Sequence, residues 1–223
     1  MEKQFVIIVA GGSGLRMGVS IPKQFLNLMK KPVLMHTISK FYEYNSKLNI
    51  ILVLPTEHFA TWESLCEKFD FHVKHKIVAG GDTRYQSVRN GIESINSQGL
   101  VAVHDGVRPL VSNELIANCF NEAQKSGNAI PCIEVNETVR ELLPNGNRQL
   151  NRNNIKLIQT PQVFKSEILK QAYELPFSVE FTDDASVIEK AGYKINLING
   201  EKQNIKITTE LDLKMAECLL TNK

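Results

Sequence analysis

Four short runs along the chain are apolar almost without interruption: FVIIVA (5–10), NIILVLP (49–55), LVAVHD (100–105) and NAIPCIEV (128–135). They are rich in β-branched residues, and unbroken runs of this length are expected of parallel strands covered on both faces. Between them the period changes. TRYQSVRNGIESI puts Val88, Ile92 and Ile95 on one helical face, and near the end TTELDLKMAECLL does the same with Leu211, Met215, Cys218 and Leu219. Strand and helix patterns in alternation predict an α/β fold: an open, mostly parallel, Rossmann-like sheet.

One stretch departs from this rhythm. Residues 136–154, NETVRELLPNGNRQLNRNN, carry six asparagines and a Pro-Asn-Gly turn signal between segments able to pair. A protruding β-hairpin arm is expected there, although a surface insertion without order would have the same composition. Neither repeat nor Pro/Ser-rich linker interrupts the chain, so residues 1–223 read as one domain.

Composition narrows the functional classes. With 26 cationic and 24 anionic residues the formal charge is only +2, and no dense basic face favours nucleic acid or an acidic membrane. The apolar run near the N-terminus is too short to cross a bilayer and leads directly into glycines, so a cytoplasmic protein is expected. Cys66, Cys119, Cys132 and Cys218 lack metal-ligand spacing and read as small buried hydrophobes in a reducing compartment.

Chemistry is concentrated where the runs end. After the first, GGSGLRMGVSIPKQF offers glycines, Arg16 and Lys23. A P-loop is excluded because Lys23 follows proline and precedes Gln24, and a dinucleotide fingerprint because Met17 stands where a small residue is needed. A backbone cradle with two cations suits a triphosphate whose charge builds as phosphorus is attacked; the same cations alone also read as solvated loop charges. AGGDTRYQSV (79–88) places Asp82 and Thr83 at a helix start, either as a nucleotide contact or as an ordinary turn and cap. VHDGVRP (103–109) puts Asp105 at the carboxyl edge of a strand, suited to a magnesium triphosphate or to pairing with Arg108, while His104 reads as a partly buried strand residue.

Taken in order, VAGGSGLRMG…PKQF, GGDTRYQSV, HDGVRP, TPQ (160–162), TDDAS (182–186) and NIKIT (204–208) make the chain resemble the 2-C-methyl-D-erythritol 4-phosphate cytidylyltransferases over nearly its whole length. The resemblance implies a magnesium-dependent reaction of CTP with a sugar-alcohol phosphate. It implies that Arg16 and Lys23 stabilise the transition state, that Ala10, Gly11, Gly12, Gly14, Gly81, Asp82, Ser87, Asp105 and Gly106 contact the nucleotide, and that Asp105 lies by the metal. Arg152 and Lys206, with Thr138, Thr160, Thr182 and Arg108, are implied to position the acceptor phosphate. The arm is implied to be exchanged across a homodimer, so that Arg152 serves the neighbouring site.

Three positions depart from the family pattern: Gly106 replaces a frequent alanine, Asn151 a frequent aspartate before Arg152, and Gly11 a second alanine. The AGG triplet also occurs in the related ribitol 5-phosphate cytidylyltransferases, the rival within the enzyme class. A non-catalytic nucleotide-binding protein would have no reason to carry Lys23, Arg152 and Lys206 together.

Overall fold

The structure, a computed structural model, describes residues 2–12 and 21–221. The four runs are strands: β1 (Gln4–Val9), β4 (Asn49–Leu54), β6 (Leu100–Asp105) and β7 (Asn128–Glu134). A short hairpin, β2 (Asn27–Leu28) with β3 (Lys31–Pro32), follows β1, and β5 (Lys76–Ala79) follows β4. The helices are α1 (Val33–Tyr44), α2 (Phe59–Lys68), α3 (Arg84–Glu93), α4 (Asn113–Ser126), α5 (Ser166–Ala172), α6 (Asp184–Lys190) and α7 (Glu210–Thr221). Strands β8 (Val139–Leu143) and β9 (Gly146–Leu150) form a separate hairpin, and β10 (Lys156–Ile158), β11 (Gln162–Lys165) and β12 (Leu197–Asn199) complete the main sheet.

That sheet runs β10-β7-β11-β6-β1-β4-β5, with β12 along the other side of β7. β6, β1, β4 and β5 are parallel, as the unbroken apolar runs imply. β7 points the same way but is separated from β6 by β11, which is antiparallel to both. The sequence reading lacked this inserted strand, because only Val163 and Phe164 mark it as apolar and two residues show no periodicity.

Alternation along each strand divides the core. Val6 and Ile8 face α1 and α4, where Leu34, Ile38, Phe41 and Phe120 are buried; Phe5 and Ile7 face Val88 and Ile92 of α3 and Val187 and Ile188 of α6. Cutting the fully buried Phe41 to alanine would cost about 3–5 kcal/mol, since a well-packed layer refills such a void only in part. Helix α4 starts where the Ser112 hydroxyl accepts from Leu115 N–H at 2.9 Å and stops at Gly127, whose φ of 88° suits glycine.

Two expectations need correction. On α7 the inward stripe is Leu213, Ala216, Leu219 and Leu220, packed near Val33, Val107 and Ile207, while Leu211 and Met215 are 65% and 46% exposed. The helix carries two apolar stripes, and docking selects the one that includes small Ala216. Of the cysteines only Cys119 is fully buried; Cys66 and Cys132 are partly buried and Cys218 is exposed on α7. Among the described residues no helix is long and apolar enough to cross a membrane.

Residues 136–154 do form a hairpin arm, with Val139 opposite Leu150 and a turn at Pro144–Asn145 before Gly146, whose φ is 137°. Its side chains find little cover: Leu142 is 84% and Leu143 42% exposed.

Candidate active site

The parallel strands β1, β4, β5 and β6 release their loops at one edge, where open α/β sheets take ligands. After β1, Ala10 N–H donates to the Val53 carbonyl at 3.0 Å, turning Gly11 and Gly12 over the sheet end. Gly14 and Arg16 lie outside the described residues. The chain returns at Pro22 in a single helical turn, Lys23–Phe25, pinned by the buried Gln24, whose Nε2 donates to the Ala10 carbonyl at 2.8 Å. A Cβ on Gly12 would stand 3.0 Å from Lys23 Cε and 3.6 Å from its Nζ. Glycine there lets the ammonium lie across the loop backbone.

The loop between β5 and α3 forms the facing wall. Gly80 N–H donates to the Leu54 carbonyl, Thr83 caps α3 by accepting from Gln86 N–H at 3.1 Å, and the Ser87 hydroxyl accepts from Gly81 N–H at 3.1 Å. A Cβ on Gly81 would come within 2.4 Å of the Gln86 side chain, so the turn closes onto its helix only with glycine. Between these loops lies a cleft of about 250 Å³, lined by Ala10, Gly11, Gly12, Lys23, Gly81, Asp82, Thr83, Arg84, Ser87, Asp105, Val107 and Lys206.

Beside it lies a second compartment of about 240 Å³, with Arg108, Gln159, Thr160, Gln162, Thr182 and Asp183 in its lining. Arg84, Asp105 and Lys206 border both. At this shared wall Asp105 Oδ2 sits 3.1 Å from Lys206 Nζ and 3.2 Å from Arg108 Nε, and Oδ1 sits 3.8 Å from Arg84 Nε. Burial pushes the Asp105 carboxyl up, but Lys206, Arg84 and Arg108 outweigh it and hold the group well below the usual carboxylate range. The Asp105–Arg108 pair is therefore present, in a cluster that also lines both compartments.

Lys206 reaches this wall because its segment is stitched down: Ile207 N–H donates to the Val107 carbonyl, Asn204 Nδ2 to the Thr160 carbonyl at 2.8 Å, and Arg108 Nη1 to the Asn204 carbonyl at 2.8 Å. His104 is wholly buried rather than partly so. Burial lowers its pKa to about 4, so the ring is neutral near pH 7. Its Nε2 lies 3.2 Å from the Arg108 carbonyl and so carries the proton, leaving Nδ1 to accept from the Thr160 hydroxyl at 3.1 Å. That hydroxyl in turn accepts from Asp105 N–H at 3.1 Å. The Thr160 proton is thus spent inside the protein, fastening the Asp105 backbone.

Of the residues singled out in the sequence, Ala10, Gly11, Gly12, Lys23, Gly81, Asp82, Ser87, Asp105, Arg108, Thr160, Thr182 and Lys206 border the two compartments. Gly106 does not. It lies behind the wall, where a Cβ would meet Ala10 Cβ at 2.9 Å and Leu34 Cδ1 at 3.1 Å, so its smallness serves packing. Thr138 and Arg152 line neither compartment; both are exposed at the arm, and Arg152 Nη1 donates to the Asn136 carbonyl. Arg84, Gln162 and Asp183 went unnamed in the sequence reading. All three stand inside the motifs quoted there, and Asp183 with Ser186 forms a capping box legible as D-x-x-S.

A protein-only metal site is absent among the described residues, where no three His, Cys, Asp or Glu side chains converge. Asp105 fits a single contact to magnesium brought in by phosphates, because among the described residues the cations of the wall crowd Oδ2, at 3.1 and 3.2 Å, and stand off from Oδ1, at 3.8 Å.

Residues 4–222 match the family model for 2-C-methyl-D-erythritol 4-phosphate cytidylyltransferase. The protein of that name from Phocaeicola vulgatus is 53% identical over 215 residues, spanning 96% of this chain and 98% of its own, and that of Porphyromonas gingivalis is 50% identical over 222 residues, 99% of each. Among solved structures, 4-diphosphocytidyl-2C-methyl-D-erythritol synthase from Anaerococcus prevotii superposes with a TM-score of 0.84 at 30% identity, covering 99% of this chain and 96% of that one. By fold and by sequence over nearly its full length, the chain belongs to the 2-C-methyl-D-erythritol 4-phosphate cytidylyltransferase family.

Proposed function

We propose that the protein joins CTP to 2-C-methyl-D-erythritol 4-phosphate in the cytoplasm, as a step of the non-mevalonate route to isoprenoid precursors. A phosphate oxygen of the acceptor attacks the α-phosphorus of CTP, the bond to the β-phosphate breaks, and CDP-methylerythritol and pyrophosphate result. One observation carries this reading: two compartments meet at a wall of Asp105, Arg84 and Lys206, so that two phosphates can face each other across fixed positive charge. Bringing anions together is the main obstacle to such a reaction, and preset cations remove it without reorganisation.

In this reading the first compartment takes the nucleotide. Gly11, Gly12 and Gly81 admit it close to the backbone, and Lys23, together with Arg16, stabilises charge on the departing pyrophosphate. Lys206 and Arg108 hold the acceptor phosphate beside Thr182. Magnesium, held by Asp105 and the triphosphate, would supply further neutralisation of phosphate charge.

The exposed arm supports a homodimer in which residues 136–154 cross to the neighbour and Arg152 completes its acceptor site. A two-stranded hairpin is marginal alone, and one with Leu142 and Leu143 in water gains by packing on a second surface. The test is pyrophosphate release with CTP, ATP, GTP and UTP, each crossed with methylerythritol phosphate and ribitol 5-phosphate. Turnover is expected with CTP and methylerythritol phosphate; turnover confined to ribitol phosphate would overturn the acceptor.

A further inference from the structure

Asp184, the first residue of α6, has no exposed surface. It receives the Arg84 guanidinium end-on, Nη1 to Oδ1 at 3.0 Å and Nη2 to Oδ2 at 2.7 Å, and the Tyr173 hydroxyl donates to Oδ1 at 2.6 Å. Tyr173 is itself buried, stacked on Tyr85 with ring centres 4.7 Å apart. On its other side Arg84 emerges: its side chain is 30% exposed, its Nε faces Asp105, and it borders both compartments.

The geometry points to Asp184 as a positioning residue: with Tyr173 behind it, Asp184 fixes the Arg84 guanidinium at the wall between the compartments, where it meets the phosphate being transferred. This rests on the proposed cytidylyltransfer. A buried ion pair is a poor device for stability alone, since apolar residues of similar volume do as well, and α3 and α6 already share the core of Val88, Ile92, Val187 and Ile188. What the pair adds is orientation. A free arginine at this wall could swing onto Asp105 or into solvent, whereas a two-point grip fixes the plane of the fork. Burial, which favours a neutral guanidinium, is outweighed by Asp184 and Asp105, so Arg84 keeps its charge.

The experiment compares Arg84→Met, Asp184→Asn and the double variant with the unaltered protein, reading kcat at saturating substrates, melting temperature, and pyrophosphate affinity by calorimetry. Misplacing a charge at a reacting centre costs on the order of 100-fold, and each single variant is expected to lose kcat on that scale. The double variant should be no slower than Arg84→Met alone, yet melt higher than it, because the charge stranded on Asp184 is gone. Losses that multiply in the double variant, or a folded Asp184→Asn protein with unaltered kcat, overturn the role. Should Asp184→Asn not fold, Tyr173→Phe removes one donor and is expected to slow kcat about threefold, with unaltered kcat again overturning it. An unaltered protein that releases no pyrophosphate defeats the functional reading instead. Pyrophosphate affinity then decides the positioning role: equal weakening in both singles and the double sustains it, and unaltered affinity overturns it.

Discussion

The cleft edge of the sheet and the arm are opposite solutions to placing charge. At the cleft, Asp105 and Arg108 from one stretch of chain meet Arg84 and Lys206 from two others, and the three cations close on a single, largely buried carboxylate. In the arm, Arg140, Arg148 and Arg152 are exposed, and the hairpin is tied mainly to itself. The cleft is therefore preorganised before any ligand arrives, and its groups are worth more in water-excluded surroundings. The arm lacks a core of its own, so its order and its use depend on what it packs against.

The sharpest way to break this contrast is to remove a cleft cation. Lys23→Ala, and Arg16→Ala outside the described residues, are each expected to raise the barrier to turnover by on the order of 3 kcal/mol with the melting temperature kept. Loss of CTP affinity alone, with kcat preserved in steady-state kinetics, would place them outside the transition state.

Preorganisation also has a pH signature. His104 is held near pKa 4 by burial against an ordinary 6.5, so between those values the unfolded chain binds a proton that the folded chain refuses. Stability therefore falls as pH drops through that window. From pH 6.5 to about 4.5 the loss due to His104 should be about 2 kcal/mol, seen as a steeper pH dependence of urea unfolding than in His104→Asn. His36 and His75, also lowered by burial, act in the same direction in both proteins and cancel in the difference. Equal slopes would mean that the buried ring is not the source.

Lys206→Ala should raise KM for the acceptor about tenfold and move KM for CTP less, because the ammonium borders both compartments but is assigned to the acceptor phosphate. A change confined to CTP would reverse that assignment.

For the arm the informative experiment mixes subunits. If arms are exchanged, an Arg16→Ala protein reassembled with an Arg152→Ala protein has one intact site in each mixed dimer, and activity recovers to about a quarter of normal. If each arm serves its own subunit, mixing recovers nothing, provided subunit exchange is demonstrated separately. The smallest effect is expected of Leu142→Ser: stability of the single chain within about 0.5 kcal/mol, and, if the proposed dimer packs on the arm, dissociation at higher concentration in ultracentrifugation. A large loss of single-chain stability would mean that the arm belongs to this chain's core.

Unbroken apolar runs sufficed to locate β1, β4, β6 and β7, and turn chemistry located the arm, because burial on both faces and a Pro-Asn-Gly turn are local requirements written in consecutive residues. Motifs at the strand ends named most of the cleft for the same reason: Gly81 and Ser87 answer to one turn. Other features depended on partners far along the chain. The antiparallel β11 is held by neighbours on both sides, and α7 chose between two apolar stripes only on docking. Thr160 was recognised as a site residue, but its proton is committed to His104, and Arg84 gains its orientation from Asp184, 100 residues away. Local pattern encodes which element forms, since dihedral preference and burial act residue by residue. Which hydroxyl is spent and which guanidinium is gripped are pairwise matters, decided only when the tertiary structure brings both partners within hydrogen-bond reach.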